Sequence, residues 1–340
     1  MALEAAAPSP ETGQLQQPSQ EGMLLARDVA GRAFPGRALE GRAKSTRIVS
    51  SQISVWSRLK EIWISRELLV NLVRTEIRVK YKNSFLGLVW SLISPAMTLG
   101  IYTLVFGVVL KNGIPDFVLL LFSGLLAWNL FSTGVQAATG VIVNNAALVK
   151  KVSFPREILA LASIGSACVF FFFQACVLVI FLIGLQWSPA WSELWLLVVA
   201  AVPLLVFSAA LALLLAAVNV YLRDTQHLVE VLVGAAWFWA CPIVYSFQAK
   251  VYPFLHRHHI VWLYLLNPLT PVVLTFERVI YGKEVLNLTI PPHLPTQLLP
   301  GWGALTYVEM DGLVLVASLL LFYGAMVVFG RLAGNFAEEL

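Results

Sequence analysis

Long apolar runs decide what this chain can fold into. Several of them reach the length of about 20 residues that a helix needs to cross the hydrocarbon core of a bilayer. Only 12% of the 340 residues are charged, about half the share typical of soluble domains, which leaves too little polar surface to face water. The sequence therefore predicts an all-α polytopic membrane protein with six transmembrane helices. We place them at residues 86–110, 117–143, 158–187, 194–220, 229–245 and 312–330.

The region between the fifth and sixth predicted spans, residues 250–311, is only partly apolar and is broken by prolines. It includes "VWLYLLNPLTPVVLTFERVIYG", in which each apolar run is too short to cross a bilayer. Such runs suit re-entrant or interfacial helices, which are tolerated where protein or a water-filled cavity shields their backbone. We expect re-entrant outer gate helices here.

The distribution of Lys and Arg predicts the orientation of the chain. About 18 of the 23 Lys and Arg residues fall on one side of the six-span arrangement, and cytoplasmic loops are the ones enriched in cations. Both termini are therefore expected in the cytoplasm. Residues 1–47 are rich in Ala, Pro, Gly, Gln and Arg, so we predict a disordered basic cytoplasmic tail. A contact between this tail and lipid or a partner is the alternative.

Residues 48–85 are predicted to form a cytoplasmic interface region that leads into the transmembrane domain, residues 86–340. Within it, residues 67–82 fit an amphipathic helix whose apolar stripe lies beside a basic one. The apolar stripe consists of Val70, Val73, Ile77 and Tyr81, and the basic stripe of Arg74, Arg78 and Lys82. Such a helix lies at the level of the lipid headgroups with its cations near phosphates. A simple membrane anchor and a partner-binding helix both fit this pattern.

The loop between the second and third predicted spans reads "NNAALVKKVSFPREILAL" and predicts a short helix, a turn and the start of another helix. Asn144 or Asn145 can cap the short helix, and Pro155 can open the next one. Phe154 lies at the tip, where water is expected. It indicates either a protein contact or a fold back onto the membrane.

Several kinds of chemistry lack the residues they need. Residues 36–43 have the glycine spacing of a phosphate loop but end in Arg-Ala, without the lysine and hydroxyl that hold phosphate and magnesium. Few ionisable groups fall inside the predicted spans, which disfavours a proton-driven carrier. The histidines in "HRHH", residues 256–259, are expected to form a solvated turn and not a metal site. The net charge of +4 reports the loop bias and does not indicate nucleic-acid binding.

Four stretches, in this order, carry a family resemblance: "EIRVKYKNSFLGLVWSLISP", "LVKKVSFPREIL", "VYLRDTQHL" and "NPLTPVVLTFERVIYG". From about residue 67 to the C-terminus the chain resembles the ABC-2 permeases. The branch that it resembles is that of the cell-envelope polysaccharide exporters of the Wzm type, which includes O-antigen, teichoic acid and galactan permeases.

The resemblance implies a multi-pass subunit of the bacterial inner (plasma) membrane that is a transporter subunit and not itself an enzyme. It would pair with a second copy of itself and with two separate nucleotide-binding ATPase subunits. ATP and Mg would bind to those partners, and no cofactor to this chain. The implied substrate is a polyprenyl pyrophosphate-linked polysaccharide. An ABC-2 exporter of a lipid or drug is the alternative, and an envelope glycan ligase is disfavoured because the chain offers few Arg and His groups for its outer loop.

The resemblance also implies roles for particular residues. The coupling helix that would contact the ATPase includes Asn145, Leu148, Lys150, Lys151, Phe154, Pro155 and Arg156. The interface helix would meet the lipid pyrophosphate through Arg74, Arg78, Lys80 and Lys82. Sugars stack on aromatic rings, so channel lining is assigned to Trp90, Tyr102, Trp237, Phe238 and Trp239. The outer gate is assigned to Asn267, Pro268, Glu277 and Arg278.

Overall fold

The structure, a computed structural model, describes residues 54–80, 82, 87–109, 114, 116–282, 285–287 and 295–340, all within one compact unit, Thr46–Leu340. The predicted tail, residues 1–47, and Tyr81 lie outside the described residues. The α-helices in chain order are α1 (Val55–Ile64), α2 (Arg66–Lys80), α3 (Trp90–Tyr102), α4 (Phe117–Asn144), α5 (Ala146–Lys151), α6 (Glu157–Gly184), α7 (Trp195–Tyr221), α8 (Thr225–Val231), α9 (Tyr252–Arg257), α10 (Val261–Leu265), α11 (Leu269–Ile280), α12 (Ala304–Leu332) and α13 (Phe336–Glu339).

Shorter elements complete the described backbone. The 3₁₀ segments are Gly87–Val89, Trp191–Glu193 and Ala333–Asn335, and the π-helical segments are Thr103–Val109, Leu232–Trp237 and Phe247–Val251. Two short strands, β1 (Val285–Asn287) and β2 (Pro295–Gln297), pair in antiparallel fashion with Leu286 opposite Thr296.

Among the described residues, four helices are long and apolar enough to cross a membrane: α4, α6, α7 and α12. They coincide with the second, third, fourth and sixth spans predicted from the sequence, although α12 begins at Ala304, ahead of the predicted residue 312. The predicted first span is built from Gly87–Val89, α3 and a π-helical segment, and α3 contains Pro95. Helix α3 continues through Pro95 to Tyr102, where the regular α-helix changes to the π-helical segment Thr103–Val109.

The predicted fifth span is also interrupted. It consists of α8 and the π-helical segment Leu232–Trp237, and helix ends shortly after, ahead of Pro242. Between residues 246 and 303, the described helices are the short α9, α10 and α11, as expected for a region too broken to span. The structure thus contains four helices of span length in its described part, fewer than the six predicted.

Helix α4 lies innermost, since 89% of its most apolar window is buried, against 17% for α6. It packs against α6 and α7, and α12 packs against α7. The ring of Phe131 stacks on Phe207 with 5.7 Å between centroids. Gly134 allows α4 and α6 to approach closely, because a Cβ there would lie 2.8 Å from Cδ1 of Ile164. Helices in a bilayer associate through such close packing, since lipid supplies no hydrophobic drive between them.

The bundle has two different ends. At the first, α5 joins α4 to α6, and the hydroxyl of Tyr221 at the end of α7 donates to the carbonyl of Leu332 at the end of α12, at 2.9 Å. We call this the α5 end. At the opposite end, the connection between α6 and α7 meets α11, where the amide of Ala190 donates to the carbonyl of Val279 at 2.9 Å. We call this the loop end.

Candidate functional site

The α5 end carries a short helix held between two long ones. Asn145 precedes α5, but its side chain does not cap this helix. Its side-chain nitrogen instead donates to the carbonyl of Val141 at 2.8 Å, which also accepts the backbone amide of Asn145 at 3.1 Å. The predicted cap by Asn145 is therefore wrong, because its side chain turns back to the last turn of α4. Lys150 and Lys151 are exposed, so α5 carries two cations on its accessible surface.

The residues after α5 are tied to the C-terminal segment. Phe154 is half-buried and packs against the apolar cluster around Phe336. The guanidinium of Arg156 donates to the carbonyl of Ala333 and lies 5.7 Å from the ring centroid of Phe336. Thus Phe154 folds back onto the protein, and Arg156 is engaged by its own chain. Of the predicted coupling residues, Lys150 and Lys151 are the more exposed.

A buried ion pair joins α1 to the start of α6. The guanidinium of Arg58 contacts the carboxylate of Glu157 at 2.7 Å, and their side chains are only 14% and 6% exposed. Arg58 also donates to the carbonyl of Gly330 at 3.3 Å. A carboxylate buried to this degree needs a partner, so this pair fastens α1, α6 and α12 together at the α5 end.

The predicted interface helix is α2, and one of its faces rests on α6. The carboxylate of Glu76 accepts hydrogen bonds from Ser166 at 2.5 Å and from Ser163 at 3.3 Å. Burial raises the pKa of the Glu76 carboxyl, and the hydrogen bonds from the two serines oppose that rise in part. The ammonium of Lys80 lies 4.0 Å from the ring centroid of Phe170. This face of α2 therefore contacts protein.

The predicted phosphate-binding cations are divided by this contact. Lys80 is directed toward Phe170 on α6, and burial lowers its pKa. Arg74, Arg78 and Lys82 are exposed, as is Lys80, but only Lys80 has its charged group over an aromatic ring of α6. An exposed guanidinium presents a planar set of donors that matches phosphate oxygens. The structure therefore leaves Arg74 and Arg78 better placed than Lys80 to meet an anionic headgroup.

The aromatic residues assigned to channel lining also divide into two groups. Trp90 and Trp239 are exposed, whereas Tyr102 lies beside Phe106 with 6.1 Å between centroids. Trp237 is half-buried and packs edge-on against a core ring, Phe131, at 5.2 Å. Phe238 packs edge-on against a core ring, Trp128, at 5.5 Å. Within a single chain, Trp90 and Trp239 are thus accessible, whereas Tyr102, Trp237 and Phe238 pack against neighbouring rings.

Helix α11 at the loop end is fastened at both ends. At its start, the side-chain carbonyl of Asn267 accepts hydrogen bonds from the indole of Trp237 at 2.9 Å and from the amide of Leu269 at 3.2 Å. At its end, Arg278 forms an ion pair with Glu193 at 2.7 Å. The predicted gate residues Asn267 and Arg278 therefore hold α11 in place.

A cavity and a buried acid lie next to these contacts. The cavity has a volume of about 420 Å³ and is lined by apolar groups together with Trp237, Tyr264, Asn267 and Pro268. The carboxyl of Glu277 is only 1% exposed, and its Oε1 has no hydrogen-bond partner among the described residues. A Cβ on Gly124 would lie 3.2 Å from that oxygen, so the glycine makes room for the acid.

The sequence of this chain is similar to those of known proteins. The profile of the family described as ABC-2 type transporter matches residues 67–280, which is more than half of the chain. The chain belongs to the ABC-2 type transporter family. An O-antigen export system permease protein from Myxococcus xanthus is 32% identical over 229 residues, covering 67% of this chain and 85% of that protein. Two proteins of the same description from Klebsiella pneumoniae are each 24% identical over 274 residues, covering 81% of this chain and 95% of theirs.

Membership in the ABC-2 family and the long apolar helices together identify a multi-pass membrane protein related to transport permeases. The matched range runs from α2 to the last residue of α11. It contains α5, the aromatic residues and the loop end. Arg58 and Phe336, which hold the α5 end together, lie outside it.

Sequence reasoning missed three residues of this ABC-2 permease that the structure brings into the site. Glu76 was overlooked because its neighbours Arg74 and Arg78 dominate the charge pattern of the helix. Arg58 and Glu157 are 99 positions apart and carry no shared motif.

The histidines of the "HRHH" cluster fall in the last turn of α9 and the turn after it. Across the described residues, no group of three or more His, Cys, Asp or Glu side chains could hold a metal ion.

Proposed function

We propose that this chain is the permease subunit of an ABC exporter that moves a polyprenyl pyrophosphate-linked polysaccharide, of O-antigen or galactan type, from the cytoplasm across the bacterial inner membrane. The observation that carries the proposal is the 32% identity to an O-antigen export permease over 85% of that protein's length. Two copies of the chain would pair with two ATPase subunits that bind ATP and Mg. Each copy would contribute six spans, with α3 and α8 and their π-helical extensions as the first and fifth, and both termini in the cytoplasm.

In this proposal α5 is the coupling helix. It is a six-residue helix between two spans, and it presents Lys150 and Lys151 to a partner. It contacts α4 and α13 and is joined to α6 through the turn at Pro155, so a push on α5 reaches three elements at once. ATP-driven closure of the ATPase pair would displace α5 and, through it, the bundle.

The cationic face of α2 would receive the lipid pyrophosphate. Arg74 and Arg78 are exposed on the side that does not face α6, and a guanidinium binds phosphate oxygens in a bidentate manner. The glycan would then follow a path along α3 and α8 that is completed by the second copy. The exposed rings of Trp90 and Trp239 offer faces on which sugar rings can stack. The helices α9 to α11 would form the outer gate, as re-entrant elements.

The test uses the chain purified with its ATPase and reconstituted into vesicles with lipid-linked glycan. Arg78→Glu should reduce ATP-dependent glycan export at least tenfold, because it places an anion where pyrophosphate binds. Lys60→Glu is the matched control, since Lys60 is an exposed cation on the neighbouring helix α1. Phe154→Ala should lower the glycan exported per ATP hydrolysed, and Phe172→Ala, which removes an exposed ring on α6, should not.

The same vesicles separate the two exporter classes. A polysaccharide exporter moves the full lipid-linked glycan. If ATP hydrolysis responds to the lipid carrier alone and no glycan crosses, the chain is an exporter of lipids or drugs. If Arg78→Glu and Phe154→Ala both leave export unchanged, the roles of α2 and of the α5 end are wrong.

A further inference from the structure

Successive contacts between α2 and α6 occur at increasing residue numbers on both helices. Val73 on α2 lies against Gly165 on α6, and Lys80, seven residues later, lies against Phe170, five residues later. A Cβ on Gly165 would lie 2.7 Å from Cγ2 of Val73, closer than carbon atoms approach in packed proteins. The glycine therefore leaves a gap that the side chain of Val73 occupies.

A polar contact reinforces this apolar one. The carboxylate of Glu76 lies between Val73 and Lys80 in sequence and accepts hydrogen bonds from Ser163 and Ser166. Both serines are almost fully buried. If α2 moved away from α6 by a few ångströms, a carboxylate and two hydroxyls would lose their partners in an apolar setting, which is costly.

The first turn of α6 follows directly on α5 and the turn at Pro155. Glu157 at this position is held by Arg58 of α1. The segment from α1 to α2 therefore contacts α6 at Glu157, at Gly165 and at Phe170, over more than three helical turns.

We infer that α2 and the first half of α6 remain docked throughout the transport cycle and move as one lever. Displacement of α5 is carried by α6 to α2, and from α2 to the start of α3. Val73, Glu76 and Gly165 act as positioning residues for this lever. The source of the displacement rests on the proposed function, whereas the docking itself does not.

A disulfide tests the inference directly. The Cβ atom of Val73 lies 4.0 Å from the position of a Cβ on Gly165, within the range of about 3.5–4.5 Å found in disulfides. The variant is Val73→Cys with Gly165→Cys in the full chain, with Cys168, Cys176 and Cys241 replaced by alanine. The matched control is Val79→Cys with Gly165→Cys in the same background. Val79 is exposed on α2, so this pair should not cross-link.

With the ATPase partner and lipid-linked glycan in vesicles, the disulfide should form completely under mild oxidation. ATP-dependent export should then agree within twofold between the oxidised and reduced protein. A loss of tenfold or more on oxidation that is restored by a reductant would overturn the inference, because it would mean that the two helices must separate.

A second measurement does not depend on export or on Gly165. In the background without Cys168, Cys176 and Cys241, Val73→Cys as the only cysteine should react with a membrane-impermeant maleimide at least tenfold more slowly than Val79→Cys. This should hold in the absence and presence of ATP and the partner. Equal labelling of the two cysteines in any of these states would contradict permanent docking. If even the unsubstituted chain exports no glycan, the proposed function fails, and this labelling still decides whether α2 stays docked.

Discussion

Arg278 offers the sharpest test of what the loop end does. Its Nε and Nη2 donate to the two carboxylate oxygens of Glu193 at 2.7 and 2.9 Å. Its Nη1 donates to the carbonyl of Trp302 at 2.7 Å, and its guanidinium lies 4.9 Å from the ring centroid of Tyr307. One side chain thus joins α11 to the α6–α7 connection and to the segment before α12. We predict that Arg278→Ala acts mainly on stability.

The size of the effect follows from these contacts. Removing one partner of a buried ion pair costs about 3–5 kcal/mol. The side chains of Arg278 and Glu193 are 11% and 23% exposed, so water can partly solvate the remaining carboxylate, and we expect a loss near the lower bound, about 3 kcal/mol. Arg278→Lys keeps the charge but loses the two-pronged geometry, and should lose about 1–2 kcal/mol.

The stability lost in Arg278→Ala should depend on pH. Hydrogen bonds from Arg278 hold the pKa of the Glu193 carboxyl below its ordinary value of 4.5. A lowered pKa in the folded state stabilises the fold above the ordinary value, and this contribution disappears as the pH falls through the lowered one. The difference between wild type and Arg278→Ala should therefore be full at pH 7 and shrink below about pH 4.5.

The assay is thermal unfolding of the purified chain in detergent, followed by export in vesicles. Arg278→Ala should lower the unfolding midpoint clearly, and Arg278→Lys should lower it by less. An unchanged midpoint at pH 7 together with a large loss of export would refute this reasoning. Arg278 would then act in transport itself and not in holding the loop end together.

Three further changes probe the other contacts. Glu76→Ala should weaken the docking of α2 by about 1–2 kcal/mol, measured as roughly tenfold faster maleimide labelling of Val73→Cys. Because the pKa of Glu76 is raised, docking in the wild type should weaken as the pH rises through that pKa, and Glu76→Gln should abolish this dependence. Arg58→Ala should destabilise the fold by about 3–5 kcal/mol, and adding Glu157→Gln should recover part of the loss in thermal unfolding. Asn267→Ala deprives a tryptophan indole of its acceptor and removes the donor to the carbonyl of Ala240, and should cost about 1–3 kcal/mol by the same assay.

The sequence predicts the long helices of this fold well, and for a physical reason. A bilayer requires each crossing to be apolar and helical, so α4, α6, α7 and α12 are visible as apolar runs. Breaks in the first and fifth predicted spans are harder to anticipate. Pro95 lies inside the continuous helix α3 and does not mark the change to π-helix at Thr103, and π-helical segments such as Leu232–Trp237 have no clear signature in a single sequence.

The contacts at the site were less predictable than the helices. A cation before a membrane span has the same pattern whether it meets phosphate or an aromatic ring, and only the fold directs Lys80 to Phe170. Tryptophans on a predicted span likewise fit a channel wall and a protein core. Trp237 packs against the core because α4 and α7 supply Phe131 and Phe207 beside it, and those neighbours are distant in sequence.

The gap at Gly165 has a mechanical consequence for α2. On a helix, residues four positions before and after lie on the same face, so Leu161 and Val169 flank the gap that Val73 occupies. A side chain held between two flanking residues resists sliding along the helix axis, because each direction of travel meets a bulky neighbour. Axial thrust from α6 is therefore delivered to α2 without slip, and the hydrogen bonds from Ser163 and Ser166 to Glu76 oppose a roll of α6 about its own axis. The two kinds of contact thus couple α2 to both the sliding and the rotation of α6.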